Sequence, residues 1–203
     1  MTTSKNELLR RVFGLSTELG RVDFPLIVKQ STGYDVIPIN VSNQSDRKFI
    51  DILNGILKKF LKTAVSTHSR YQGSRVNEVG RRIEETIVNE MDKPPLSVKR
   101  LGRAGYPDIE ISYRNLISYL EMKTSSVREK SGFRYFYYSS GDKIKHDARH
   151  LLLDITVTEE NPGYWKIDSW SLSDLSKPTV RLKNEFNASK TDLMDERAKI
   201  VNS

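Results

Sequence analysis

The sequence predicts an α/β fold in which helices flank a central mixed β-sheet. Apolar residues recur at the spacing of an amphipathic helix in residues 45–61 and again in residues 75–91. Two pairs of short β-prone segments, in residues 105–123 and 151–172, are each joined by a polar turn, as in antiparallel strands. Because helix stripes and strand faces must be buried against each other, we expect the helices to cover the sheet that these strands form.

Composition indicates a folded, basic protein of 203 residues with a formal net charge of +7, which we expect to form a single domain, 1–203. Residues 1–105 hold 18 lysines and arginines against 11 acids, whereas residues 106–203 hold 15 of each. This asymmetry favours a polyanionic partner such as DNA. The same composition also fits a merely soluble basic protein.

Several classes of protein are excluded. The absence of cysteine removes disulfides, thiolate nucleophiles and cysteine zinc sites, and it permits a reducing cytoplasm. No apolar run reaches the roughly 20 residues of a membrane helix. The first residues lack the apolar core of a secretory signal. We therefore expect a cytoplasmic protein without a membrane partner.

Helices are expected in three segments of the first half. Residues 5–20 carry apolar residues at helical spacing and are followed by a glycine. The helix over residues 45–61 can be capped by Ser45 or Asp46. The helix over residues 75–91 ends before Pro94. Residues 21–41, punctuated by two prolines and a glycine, are expected to be irregular or extended, with residues 36–41 as a candidate edge strand.

The second half is expected to contain more strands. A polar loop over residues 124–132 leads to an aromatic strand at residues 133–138, whose side chains fit core packing better than base stacking. Residues 144–152 have helical spacing, while residues 151–158 have the character of a buried strand. A turn at residues 161–163 joins that strand to residues 164–172. Residues 192–201 of the polar tail are expected either to form a short helix or to be partly disordered.

The first hairpin carries a group of residues suited to metal chemistry. Its first strand begins with Asp108, and its second strand ends with Glu121 and Lys123, which share a face because strand residues alternate. Two carboxylates and an ammonium group at one sheet edge can hold a divalent metal ion and activate water for phosphodiester cleavage. The alternative is an ordinary hairpin in which Asp108 caps a turn and the other two residues form an exposed ion pair of little consequence.

A further acid and several basic residues surround this hairpin in the sequence. At 100° per residue, Glu84 lies beside the apolar stripe of its helix, whereas Glu78 points nearly opposite to it. Glu84 is therefore the better candidate for a fourth position of the site. Basic side chains that can contact a nucleic-acid backbone precede the hairpin. They are Arg70, Arg75, Lys99, Arg100 and Arg103.

These motifs resemble the PD-(D/E)xK nuclease superfamily, and most of all a type II restriction endonuclease. The resemblance rests on Pro107-Asp108 followed by Glu121-Met122-Lys123, with Glu121 thirteen positions after Asp108. The helix segment 80–84 is similar to the family's upstream acidic helix, and residues 134–153 are similar to sequences found downstream of its core. The resemblance covers residues 75–158. It implies a restriction-endonuclease-like core, and the helical N-terminal segment and the C-terminal hairpin and tail are elaborations outside the part that the resemblance covers.

The resemblance also implies a mechanism. Mg²⁺ would be bound by Asp108, Glu121 and the backbone carbonyl of Met122. Lys123 would orient or help deprotonate the attacking water. Glu84 would hold a second metal ion or its water. The substrate would be double-stranded DNA, cut by a homodimer in the cytoplasm of a bacterium or archaeon, without a small-molecule cofactor. Two-fold symmetry is the simplest way to cut both strands of a palindrome.

Three alternatives remain open at this stage. A junction resolvase or repair nickase would use the same chemistry on a DNA structure, and a non-catalytic DNA-binding module would keep only the fold. His146 and His150 are four positions apart, so a helix would place them on one face, as in zinc sites. No third ligand accompanies them, and a surface or DNA-contacting pair is the simpler interpretation.

Overall fold

The computed structural model describes residues 21–66, 71–102, 105–127 and 142–180. In chain order its elements are β1 (Val22–Asp23), α1 (Phe24–Thr32), α2 (Gln44–Ser66), β2 (Tyr71–Gln72), α3 (Val76–Met91), β3 (Ser97–Arg100), β4 (Ile109–Tyr113), β5 (Leu116–Ser126), β6 (Arg149–Asn161), β7 (Tyr164–Asp174) and β8 (Thr179–Val180). None of the described helices is long and apolar enough to cross a membrane.

Six strands form a mixed sheet in the order β2-β7-β6-β5-β4-β3. β5 and β6 run parallel, and the other neighbouring strands are antiparallel. Both predicted hairpins are present, with β4 paired to β5 and β6 paired to β7. The predicted α/β fold with a central mixed sheet flanked by helices is therefore confirmed. β1 and β8 form a separate antiparallel pair.

Helices α2 and α3 cover one face of the sheet. Their apolar stripes are buried as the 3.6-residue period requires, with Leu53 and Leu57 of α2 packing into the same core as Ile83 and Ile87 of α3. From the sheet, alternate residues of β4, β5 and β6 complete this core, among them Leu120. The register of the hairpin strands is fixed by this burial, because a one-residue slip would turn polar residues inward.

A second apolar cluster lies against the opposite face of the sheet. It joins Phe24 and Val28 of α1 to Tyr119 of β5, together with Tyr106 and Ile144 from the segments before β4 and β6. All five are at most 3% exposed. This cluster anchors the chain immediately before Asp108, so it bears directly on the candidate site.

Three predictions for residues 21–46 are wrong, one of them the cap of α2 at Ser45 or Asp46. Residues 24–32 form a helix rather than irregular chain, because Pro25 stands in its first turn, where its missing N–H is not needed, and Gly33 ends it with φ +83°. The candidate edge strand at residues 36–41 is reduced to a bridge between Val36 and Ala148. The cap of α2 is Asn43, whose Oδ1 accepts main-chain N–H groups at 2.8 and 3.3 Å.

Two predictions for the second half are also wrong. β5 continues through Ser126 where a loop from residue 124 was expected, because the parallel partner β6 extends the pairing to Ser126 and Val157. Residues 144–152 do not form a helix: β6 begins at Arg149, and its buried positions alternate as in a strand. The expected helices at residues 5–20 and 192–201 and the strand at residues 133–138 lie outside the described residues.

Candidate active site

The segment before β4 sets the position of Asp108. Gly105 has φ +96°, a conformation that suits glycine, and the next two residues lead into the strand. The main-chain N–H of Asp108 donates to the carbonyl of Leu120 at 3.2 Å. Oδ2 of Asp108 in turn accepts the N–H of Met122 at 2.8 Å. The carboxylate is thereby held against β5, an inner strand of the sheet between β4 and β6.

Glu121 and Lys123 of β5 lie side by side, as strand alternation predicted. Nζ of Lys123 donates to Oε1 of Glu121. The Glu121 side chain is only 2% exposed, whereas that of Lys123 is 28% exposed. The pair is therefore not the exposed ion pair of an ordinary hairpin, and its lysine opens toward solvent where a substrate can approach.

Burial and the neighbouring charge of Asp108 change the acidity of Glu121. Removal from water disfavours the ionised form and, together with Asp108, raises the pKa of Glu121 to about 7, while Lys123 acts in the opposite direction. Oε2 of Glu121 is buried and has no hydrogen-bond partner in the described part of the chain. A carboxylate oxygen in this situation is poised to bind a cation.

Glu84 reaches the same region from α3. Its side chain is 30% exposed, and its Oε1 lies 3.4 Å from a guanidinium nitrogen of Arg100 on β3. Burial and then Asp108 raise the pKa of Glu84, and Arg100 opposes them. The helix comes close to the sheet at Gly80, where an added Cβ would lie 3.0 Å from Oγ1 of Thr124. Glycine at this position therefore sets how near Glu84, one turn later, lies to the hairpin.

The donor set fits a hard divalent cation. Asp108 and Glu121 supply oxygen ligands, one of them an unpartnered buried oxygen, and such ligands suit Mg²⁺. No group of three or more histidine, aspartate and glutamate side chains among the described residues is placed to hold a metal ion. A cation here would accordingly need ligands besides acidic side chains, which is compatible with the predicted carbonyl of Met122.

The predicted DNA-contacting residues do not form one group. Lys99 and Arg100 are exposed neighbours on the edge strand β3, close to the site. Arg75 lies at the start of α3 and is nine residues before Glu84, which corresponds to about 13 Å along the helix axis. Arg70 and Arg103 lie outside the described residues.

Sequence reasoning missed Lys143. Its Nζ donates to the carbonyls of Gly105 and Pro107, at 2.5 and 2.9 Å, in the segment that leads to Asp108. Burial lowers the pKa of Lys143, while the charges of Asp108 and Glu121 act in the opposite direction. Lys143 is 20 positions from Lys123, and no local motif connects the two.

The zinc alternative for His146 and His150 is wrong, because the two residues are not on a helix. His150 is fully buried in β6, where its Nδ1 is hydrogen-bonded to the hydroxyl of Tyr106, and His146 is exposed in the preceding segment. Burial lowers the pKa of His150 to about 4, so its ring is neutral at physiological pH.

Comparison with known proteins identifies the family of this chain. A family model described as the type II restriction enzyme MjaV family matches residues 18–197 of the chain. Type II restriction enzyme MjaV of Methanocaldococcus jannaschii is 31% identical over 196 residues, which cover 85% of this chain and 85% of the relative. No solved structure matches the chain. Both matches are to restriction enzymes, which decides against the resolvase, nickase and non-catalytic alternatives. The chain therefore belongs to the type II restriction enzyme MjaV family, and it is a type II restriction endonuclease.

Proposed function

We propose that this restriction endonuclease uses Mg²⁺ to hydrolyse phosphodiester bonds in double-stranded DNA, with the ion held by Asp108, Glu121 and the backbone carbonyl of Met122. The observation that carries the proposal is Oε2 of Glu121 beside Asp108, which is buried and finds no hydrogen-bond partner among the described residues. Two neighbouring acids in so little water favour either protonation of one of them or a positive charge that offsets both. Mg²⁺ suits the site because it prefers oxygen ligands and keeps waters of its own.

The described side chains divide the chemical work. When bound, a divalent cation offsets charge on the phosphate and lowers the pKa of a water molecule. Lys123 presents its ammonium group at the mouth of the site, where it orients the attacking water and stabilises the negative charge of the phosphorane-like transition state. Asp108 stays in place because the N–H of Met122 holds its Oδ2. Glu121 in turn holds the ammonium group of Lys123.

Glu84 and the basic residues extend the site toward the DNA backbone. Glu84 would hold a second ion or its water, and its contact with Arg100 keeps its charge offset when no ion is bound. Lys99 and Arg100 on the edge strand would contact phosphates near the scissile bond. Arg75, together with Arg70 and Arg103 outside the described residues, would contact the backbone elsewhere.

The remaining features of the proposal follow from the reaction. Residues 75–158 would form the catalytic core of a single nuclease domain spanning residues 1–203. The active unit would be a homodimer, because two sites related by a two-fold axis cut both strands of a palindrome most simply. The enzyme would work in the cytoplasm of a bacterium or archaeon and would need no small-molecule cofactor.

Cleavage of phage DNA in the presence of Mg²⁺ tests the proposal, since a restriction enzyme gives discrete bands. Asp108→Ala and Lys123→Ala should bind the DNA in gel-shift assays and lose cleavage by about 1,000-fold or more, which corresponds to about 4 kcal/mol of transition-state stabilisation. Asp51→Ala and Lys145→Ala, at exposed positions, are matched controls that should cut normally. Full cleavage by either active-site variant would contradict the assignment.

A further inference from the structure

Lys143 connects the segment before β6 to the segment before β4. The side chain is half-buried, and its Nζ donates to two carbonyls, those of Gly105 and Pro107. These two carbonyls lie within the three-residue segment 105–107 that immediately precedes Asp108. A single ammonium group thus gathers the main chain at the point where it turns into the active site.

The segment that Lys143 holds has little support from the sheet. β4 begins only at Ile109, and Pro107 has no N–H to donate. Among the described residues, Asp108 supplies two backbone bonds that join the segment to its neighbours: its N–H donates to Leu120, and its carbonyl accepts the N–H of Leu101 at 3.0 Å. The ammonium group of Lys143, which donates to the carbonyls of Gly105 and Pro107, therefore takes the place of the backbone hydrogen bonds that a neighbouring strand would provide.

Buried contacts fix both partners of this interaction. Tyr106, between the two carbonyls, is 1% exposed, and its hydroxyl is hydrogen-bonded to Nδ1 of His150. Ile144, next to Lys143, is also 1% exposed and packs in the same apolar cluster as Tyr106. Lys143 is therefore aimed at the carbonyls by the packing of its neighbour, and the carbonyls are presented by the packing of Tyr106.

We propose that Lys143 is a positioning residue of this active site: it holds the main chain at Gly105 and Pro107 and thereby fixes the carboxylate of Asp108 where it binds the divalent cation. The inference rests on the proposed role of Asp108 as a metal ligand. Groups that orient a metal ligand act through that ligand and change metal affinity without touching the ion. The charge of Lys143 also lies within range of Asp108, Glu121 and Lys123, and it helps offset the two acids before the ion binds.

Calorimetric titration of the full-length protein with Mg²⁺, in the absence of DNA, tests this role separately from turnover. Lys143→Met keeps the length of the side chain and removes both hydrogen bonds, so it should weaken Mg²⁺ binding by about 10- to 100-fold. Lys143→Arg can still donate to two carbonyls and should bind Mg²⁺ within about threefold of the native protein. In cleavage assays, the methionine variant should need correspondingly more Mg²⁺ for half-maximal rate.

Lys145→Met is the matched control, because its side chain is exposed two positions away and the substitution removes the same charge. It should leave Mg²⁺ binding unchanged. The inference is overturned if Lys143→Met binds Mg²⁺ as tightly as the control, or if a folded Lys143→Arg binds no better than the methionine variant. Circular dichroism shows whether each variant folds. If Lys143→Met does not fold, Lys143→Arg decides the question. Native Mg²⁺ affinity of Lys143→Arg supports the inference, and a loss of affinity of tenfold or more overturns it.

Asp108→Asn separates this inference from the proposed function. If that variant binds Mg²⁺ as the native protein does, Asp108 is not a metal ligand, and the proposed function fails without reference to Lys143. If Asp108→Asn loses Mg²⁺ binding and Lys143→Met retains it, the proposed function stands and only the positioning role is refuted.

Discussion

Replacing Glu121 with glutamine is expected to stabilise the metal-free protein while abolishing cleavage. The pKa of Glu121 is about 7 against an ordinary value of 4.5. At about 1.4 kcal/mol for each pKa unit, the ionised carboxylate costs the folded protein up to about 3 kcal/mol. Glutamine has nearly the same shape and no charge, and its oxygen can still accept from Lys123, so the substitution removes that cost.

The expected stabilisation depends on pH in a direction fixed by the raised pKa. A carboxyl whose pKa is higher in the folded state contributes stability that is fully present below pH 4.5 and is lost as the pH rises through about 7. The difference in the free energy of unfolding between Glu121→Gln and the native protein should therefore be small near pH 4.5. It should grow in favour of the variant up to about 3 kcal/mol by pH 8.

Urea unfolding with EDTA, followed by tryptophan fluorescence between pH 4.5 and pH 8, measures this difference. Glu78→Gln is a control of opposite sign, because hydrogen bonds from Ser74 lower the pKa of Glu78 and its loss should destabilise the protein at high pH. Added Mg²⁺ should stabilise the native protein and not Glu121→Gln, since a ligand stabilises only the state that binds it. A difference that stays flat with pH, or that favours the native metal-free protein at pH 8, refutes the reasoning.

Two further predictions concern the supports of the site. Gly80→Ala places a Cβ 3.0 Å from Oγ1 of Thr124, so α3 should shift outward, Glu84 should move with it, and the cleavage rate should fall about tenfold, which corresponds to about 1.4 kcal/mol. Adding Thr124→Gly, which also removes the Cβ that lies 3.1 Å away, should restore part of the rate, and no recovery in the double variant contradicts the steric explanation. Arg149→Met removes the partner of the buried Asp46, 2.5 Å away, and should cost about 3 kcal/mol in urea unfolding. Asp46→Asn in the same chain should recover part of that loss, and an unchanged stability of Arg149→Met would refute the prediction.

The central part of the site was predictable because it depends on local rules. Strand alternation places Glu121 and Lys123 on one face, and a short turn brings Asp108 back beside them. Helical periodicity alone placed Glu84 at the margin of a buried face. Glu121, Lys123 and Glu84 lie where these rules put them, whereas Asp108 immediately precedes β4, which begins at Ile109. The catalytic roles of these residues stay predictions until the variants are measured.

Predictions failed where tertiary contacts outweigh local signals. Pro25 and Gly33 predict an irregular segment, because both residues commonly interrupt helices and strands. Proline is nevertheless tolerated in the first turn of a helix and glycine after its last turn. The packing of Phe24 and Val28 stabilises the helix. The polar end of β5 is a strand because β6 pairs with it, and no pattern within residues 124–126 indicates that partner.

The sequence by itself determined the fold class and the class of enzyme, and it predicted the residues proposed for the centre of the site. Periodicity and turn residues act within about ten positions of the chain, and the Asp108, Glu121 and Lys123 pattern falls within a single hairpin. Only the tertiary structure decided that Glu121 is buried, with one oxygen that has no partner in the described part of the chain, and that Arg100 meets Glu84. It also showed that Lys143 contacts the segment before Asp108. The two hydrogen bonds of Lys143 span 38 and 36 positions of the sequence, and such contacts depend on how the packed elements bring distant parts of the chain together.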